Sequence, residues 1–388
     1  MKYDFDTPVD RRGTASIKWD FSRHFTGLEN LAPLWVADMD FRACEQIVQA
    51  LRDRCEHGIF GYTLEPDSYY RAAIEWMSRR HSFQVKREWM ISAPGVVPSL
   101  NIALQAYSRA GERVIIQPPV YYPFRESILN NGREVAENPL RLEDGRYVMD
   151  FEQLESLIDA RTRLLILCSP HNPVGRVWRR RELERLVAVC RLHDIVILSD
   201  EIHHDLIMSG HRHLPTASLS GEAASQTVTF TSATKTFNLA GLGCSLVIAA
   251  DERLRERFRT TLRSVWTGLA NAFSCLAAET AYRHGESWLE QILEYIRGNY
   301  DFFASTLKEK LPQARVLPLE GTYLAWVDLR ALGLSDRQLN KRILHQARVW
   351  LDDGPMFGAG GEGFQRVNLA CPRSTLKSAL EAMIRVLS

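Results

Sequence analysis

A chain of 388 residues, 45% of them hydrophobic and 24% charged, can bury a large core, is too apolar to be disordered, and predicts roughly two or three domains. Forty-eight Lys and Arg against forty-seven Asp and Glu leave a net charge of +1, so no global field recruits nucleic acid or an anionic membrane, and a small-molecule partner is expected. The seven cysteines (Cys44, Cys55, Cys168, Cys190, Cys244, Cys275 and Cys371) are scattered and never spaced CxxC, which argues against a disulfide framework or a zinc site and predicts reduced thiols in the cytoplasm.

The first residues, MKYDFDTPVDRRG, carry acids and no apolar run, and no later segment approaches the ~18 apolar residues of a membrane span. Short β-branched runs then alternate with amphipathic stretches. Residues 114–117 (VIIQ), 164–168 (LLILC), 195–198 (IVIL), 228–231 (VTFT) and 246–249 (LVIA) each read as a strand buried on both faces. Between two of them Leu183, Leu186, Val187 and Cys190 mark one face of a helix. The repetition predicts an α/β domain with a mostly parallel sheet covered by helices. Arg179, Arg180 and Arg181, at the start of that helix, read as a solvated face. Past residue 287 the texture changes to a long helix over 288–307, a strand over 322–329 and a closing helix from Thr375, a smaller α+β unit completed by the first forty or so residues. The expected division is 1–47, 48–287 and 288–388.

Open α/β sheets bind ligands beyond the carboxyl ends of their strands, so the residues following each strand carry the chemical reading. After Met90–Ser92 comes APGVV, where Gly95 predicts a tight turn into a helix near Pro98 whose free N–H groups suit a phosphate. After VIIQ comes PPVYYPF, placing Tyr121 and Tyr122 on a proline-stiffened loop where a ring can stack on a flat ligand. After LLILC, SPHNPVG offers Asn172. After IVIL, SDEIHHD offers Asp200, an acid costly to bury unless it meets a cation or several donors. Adjacent His203 and His204 rarely face one ion on a regular element, so no metal is expected. After VTFT, SATKTFNLAG sets Ser232 three residues from Lys235. Each residue alone has an ordinary structural reading; the set on one sheet points to a cofactor site.

These residues, with YDFDTPVDRRGTASIKWD at 3–20, LWVADMDF at 34–41, GYT at 61–63, SPHNPVGRVW at 169–178, SDEIHHDL at 199–206, SATKTFNLAGL at 232–242 and RVNLACPRSTL at 366–376, resemble the fold-type I pyridoxal-phosphate enzymes of the class I/II aminotransferase family over nearly the whole chain. Within it, the N-terminal segments resemble the cysteine-S-conjugate and cystathionine β-lyase branch, the PatB/MalY type. The resemblance implies pyridoxal 5'-phosphate as cofactor, Lys235 as catalytic Schiff-base lysine, Asp200 as partner of the pyridine nitrogen and Asn172 as holder of the ring hydroxyl, with His203 beside it. It implies Tyr121 on the ring face and the phosphate on Gly95, Val96, Val97 and Ser232, with Tyr62 reaching it from the second subunit of a homodimer, and the loop around Asn271 also contributed across that interface. Arg366 would clamp the substrate carboxylate bidentately, with Ala37 and Tyr121 on the substrate side. Many family members carry a phosphate-binding arginine where this chain has Gly243, a departure that fits the lyase branch. The implied reaction is α,β-elimination from cystathionine or S-substituted cysteines; transamination and a cofactor-bound regulatory protein are the alternatives.

Overall fold

In the computed structural model, which describes residues 2–265 and 270–388, a seven-stranded sheet forms the centre. Its strands are β1 (Met90–Ala93), β2 (Arg113–Ile116), β3 (Glu134–Glu137), β4 (Thr162–Cys168), β5 (Val196–Asp200), β6 (Thr227–Thr231) and β7 (Ser245–Ala249), in the spatial order β1-β7-β6-β5-β4-β2-β3. β7 runs antiparallel to β1 and β6, and every other neighbouring pair is parallel, so the sheet is mixed and mostly parallel. Because β7 alone is reversed, β1, β2, β4, β5 and β6 all end at the same edge.

Successive side chains of a strand point to opposite faces, and both faces here are apolar. Leu164 and Ile166 pack with Leu100 and Ala103 of α1 (Val96–Tyr107), whereas Leu165 and Leu167 pack with Leu183 and Leu186 of α2 (Arg180–Leu192). These residues are fully buried or nearly so, which is why the strands read as continuous apolar runs rather than alternating ones. α2 starts where Glu182 accepts the Arg179 N–H at 2.8 Å, and Arg179, Arg180 and Arg181 are exposed. β3 was not legible: its sequence, EVAE, is a half-polar edge strand with a single fully buried residue, Ala136.

Downstream, α4 (Glu286–Lys310) follows a four-residue helix, α3 (Ala233–Thr236), described below, and outruns the predicted 288–307 at both ends. Residues 315–316, Leu324–Asp328, Phe364–Asn368 and Asp352–Asp353 form a separate antiparallel sheet in that order, with Trp326 stacked on Phe364 at 5.1 Å between centroids. The closing helix α5 (Arg373–Leu387) begins two residues before Thr375. Asn299 of α4 donates to Leu369 O and Cys371 O, both at 2.8 Å, and accepts from Arg373 Nε at 2.6 Å, which ties α4 to the start of α5. No described helix is long and apolar enough to cross a membrane.

Candidate active site

The strand ends that share one edge open into a cavity of about 300 Å³, closed on its far side by Trp35–Ala37, Asp352 and Arg366. Tyr121 (after β2), Cys168 and Asn172 (β4), Asp200 and His203 (β5), and Thr234 and Lys235 (after β6) all line it. Parallel pairing makes this convergence unavoidable: Cys168 lies opposite Asp200, and Asp200 opposite Phe230.

Asp200 is 4% exposed, and its carboxyl accepts one hydrogen bond, from Ile202 N–H at 3.1 Å. No described cation lies within ion-pair distance, and burial, aided by the charge of Glu201, pushes the carboxyl up to about 7. A buried acid so poorly satisfied is costly by itself and asks for a protonated partner from the cavity. Beside it His203 is held neutral by burial and by nearby cations, and its Nδ1 is buried with no partner among the described residues. His204 turns the other way, into a buried network in which Asp205 accepts from Trp76 Nε1, His81 and Thr236 Oγ1. His81, His204 and Asp205 lie close enough to hold an ion, but those hydrogen bonds already occupy the Asp205 carboxylate.

Lys235 stands on α3, whose N-cap Ser232 accepts from Thr234 N–H, so this turn is helical. The lysine amine donates to Ala37 O at 2.5 Å, and burial pulls it down to about 8, with Asp38 opposing the shift. Ala37 O also accepts from the Tyr323 hydroxyl at 2.9 Å. The carbonyl is fixed because the LWVADMDF segment is clamped: Arg11 bridges Asp38 and Asp40, buried Lys18 pairs with Asp40 at 2.8 Å, and Asn368 Nδ2 donates to Val36 O and Asp38 O.

Arg366 donates to Asn172 Oδ1 at 2.9 Å and to Trp35 O at 2.9 Å and pairs with Asp352, and its Nε has no partner among the described residues. Asn172 Nδ2 likewise has none. Tyr121 is packed edge-on to Phe124 at 5.6 Å, and burial raises its phenol.

The phosphate end differs in detail from expectation. α1 begins at Val96, two residues before Pro98, and the cavity is lined by Gly95, Val96 and Val97, whose first-turn N–H groups lack helical partners. Gly95 itself has φ 165°, extended backbone that any residue adopts, so no left-handed turn explains it. Ser232 is buried and its hydroxyl donates to Cys244 O at 2.6 Å; Thr234, rather than Ser232, is among the residues lining the cavity. Gly243 has φ +52° and a Cβ there would sit 3.3 Å from Pro94 O, so this backbone does not take an arginine without adjustment. Tyr62 is 98% exposed and takes no part in the cavity of its own chain. Tyr122, offered with Tyr121 as a stacking ring, also lines the cavity, whereas Thr234, Tyr323 and Asp352 were missed as site residues.

Residues 30–383 match the family model for aminotransferase class I and II. The chain belongs to that family. It is 43% identical over 386 residues to cystathionine beta-lyase PatB of Bacillus subtilis, covering 99% of this chain and all of that one. Among solved structures it superimposes with a TM-score of 0.98 on a pyridoxal-phosphate-bound putative aminotransferase from Clostridium difficile, 43% identical, both chains being fully covered. It superimposes with a TM-score of 0.96 on cystalysin of Treponema denticola, which contains pyridoxal 5'-phosphate, at 36% identity over 100% of this chain and 99% of that one.

Proposed function

We propose that the protein is a pyridoxal-phosphate-dependent carbon–sulfur β-lyase that converts L-cystathionine or S-substituted L-cysteines to a thiol, pyruvate and ammonia. The observation that carries the reading is the juxtaposition of Lys235, Asp200 and Arg366 in one buried cavity with Asn172 and with His203, whose Nδ1 has no partner among the described residues. They fit the cofactor's donor and acceptor pattern, and full-length similarity to a cystathionine β-lyase supports the choice of reaction.

When bound, the cofactor supplies an electron-withdrawing ring that takes up the charge left by a broken Cα–H bond. Asp200 would keep the ring nitrogen protonated, which would convert its own unsatisfied burial into a charge-assisted bond. Asn172, His203 and Tyr121 would hold the ring, and the free first-turn N–H groups of Gly95, Val96 and Val97 would suit its phosphate. Arg366, braced by Asn172, Trp35 O and Asp352, orients the substrate carboxylate and so sets which Cα bond faces Lys235. Lys235 Nζ would hold the cofactor covalently and, as a free neutral amine, accepts the substrate Cα proton. Its depressed value of about 8 makes the neutral amine accessible near physiological pH. Departure of the thiolate leaves 2-aminoacrylate, which hydrolyses to pyruvate and ammonia. Incubating the purified enzyme with L-cystathionine and several S-alkyl cysteines, while following thiol and pyruvate, tests the proposal; no thiol from any of them defeats it.

The active unit is a homodimer with shared sites. The run Ile59, Phe60, Tyr62 and Leu64 is more than half exposed, an apolar surface that a second copy would cover while bringing Tyr62 to the phosphate. Mixing Tyr62→Phe and Lys235→Ala subunits is expected to recover activity that neither has alone, since one of the two heterodimer sites then holds both native residues; proven heterodimers without recovery contradict shared sites. The free cysteines support a cytoplasmic protein.

A further inference from the structure

A second cavity, of about 500 Å³, adjoins the active site and shares Trp35, Tyr122 and Asp352 with it. Two carboxylates, Asp352 and Asp353, line it together with Gln365; His345 is the one basic residue among the described residues lining it, and none of them is lysine or arginine. Asp352 already pairs with Arg366. Asp353 has only amide donors, Asn340 Nδ2 and Gln365 Nε2, both at 2.8 Å, and no ion pair among the described residues. Gln365 is 1% exposed and its Oε1 has no hydrogen-bond partner among the described residues, a buried acceptor left unused at the cavity wall. The lining is also aromatic: Trp35 stacks on Trp350 at 4.1 Å and 14°, and Phe25 leans on both. Unpaired carboxylate, idle acceptor and ring faces all attract the same ligand chemistry, a cation that carries N–H donors.

We propose that this cavity receives the substituent on sulfur, the part of the substrate that departs as the thiol, and that Asp353 with Gln365 and the tryptophan pair makes it select substituents ending in an ammonium or guanidinium group. The inference rests on the lyase reading. Arg366 fixes the substrate carboxylate on one side of Asp352, and Trp35, Tyr122 and Asp352 border both cavities, so a thioether arm has this space on its far side. An arm ending in a carboxylate alone is set against the charge of Asp353, whose amide neighbours Asn340 and Gln365 already spend a donor each on it, while a neutral alkyl arm keeps the aromatic contacts and loses the charge.

The test is a set of matched thioethers: S-(3-aminopropyl)-L-cysteine, S-butyl-L-cysteine and S-(2-carboxyethyl)-L-cysteine. Expected is a kcat/KM order of ammonium, then alkyl, then carboxylate, with roughly ten-fold or more between the ends, and loss of most of that span in Asp353→Asn. Because Asp353 also holds Asn340 and Gln365, Gln365→Met is the second variant and should narrow the span while keeping the fold. Binding of the same compounds to borohydride-reduced wild-type protein, read by calorimetry, should show the same order without turnover. Equal kcat/KM and equal binding across the set overturn the assignment of the cavity but leave the lyase standing. Release of thiol from none of them overturns the lyase reading, and the calorimetric order then still reports whether the cavity selects cations.

Discussion

Replacing Lys235 with alanine should abolish covalent attachment of the cofactor and lower turnover by about 10²–10⁴-fold or more, since one amine serves both as anchor and as general base. It is the only lysine among the described residues that line the cavity, buried, and aimed by a single carbonyl, Ala37 O. Borohydride reduction of the native enzyme followed by peptide mass spectrometry should place the adduct on Lys235, and the variant should carry none. An adduct on a different lysine would overturn the assignment.

Asp200→Ala is expected to weaken cofactor affinity and slow turnover together, by roughly ten- to a hundred-fold, the worth of a charge-assisted bond of about 1.5–3 kcal/mol. The same residue sets a pH dependence in the cofactor-free protein. Its carboxyl is raised on folding from the ordinary 3.8 to about 7, so the folded state holds a proton that the unfolded state gives up, and the stability this provides is present below about pH 4 and lost as pH rises through about 7. Between pH 5 and 8 the loss is on the order of 2 kcal/mol. Thermal unfolding of cofactor-free wild type and Asp200→Asn should therefore diverge, the wild type losing a few degrees relative to the variant as pH rises from 5 to 8. Saturation with pyridoxal phosphate should erase that difference, because the ring nitrogen then pairs with the carboxylate. Parallel pH profiles in the cofactor-free forms would show that Asp200 is not the unsatisfied acid described above.

The strands that build the site were legible because they are buried on both faces: Leu164 to Leu167, Ile197 and Leu198, and Leu246 to Ala249 have no polar alternation to hide them. Their ends then pointed to Asn172, Asp200 and Lys235 without any contact information. What escaped was whatever depends on distant packing. Tyr323 matters only because residues 36–38 are held against β-sheet residue Asn368, and Asp352 only because its short strand pairs with the one that carries Arg366. Neither has a periodic or turn signature. Ser232 shows the converse: its spacing of three from Lys235 drew attention to it, yet its hydroxyl is taken by Cys244 O and Thr234 N–H. The edge strand Glu134–Glu137 was lost to its polar composition.

Elimination and transamination share every residue named so far and differ only in the fate of charge at Cα. The most direct measurement is turnover of an S-alkyl cysteine by the holoenzyme with no keto acid present, with thiol, pyruvate and ammonia counted against enzyme. A lyase releases all three in equal amounts over many turnovers while the visible absorbance of the bound cofactor returns to its starting form. One turnover followed by arrest, with recovery only when a keto acid is added, would contradict elimination and make the protein an aminotransferase.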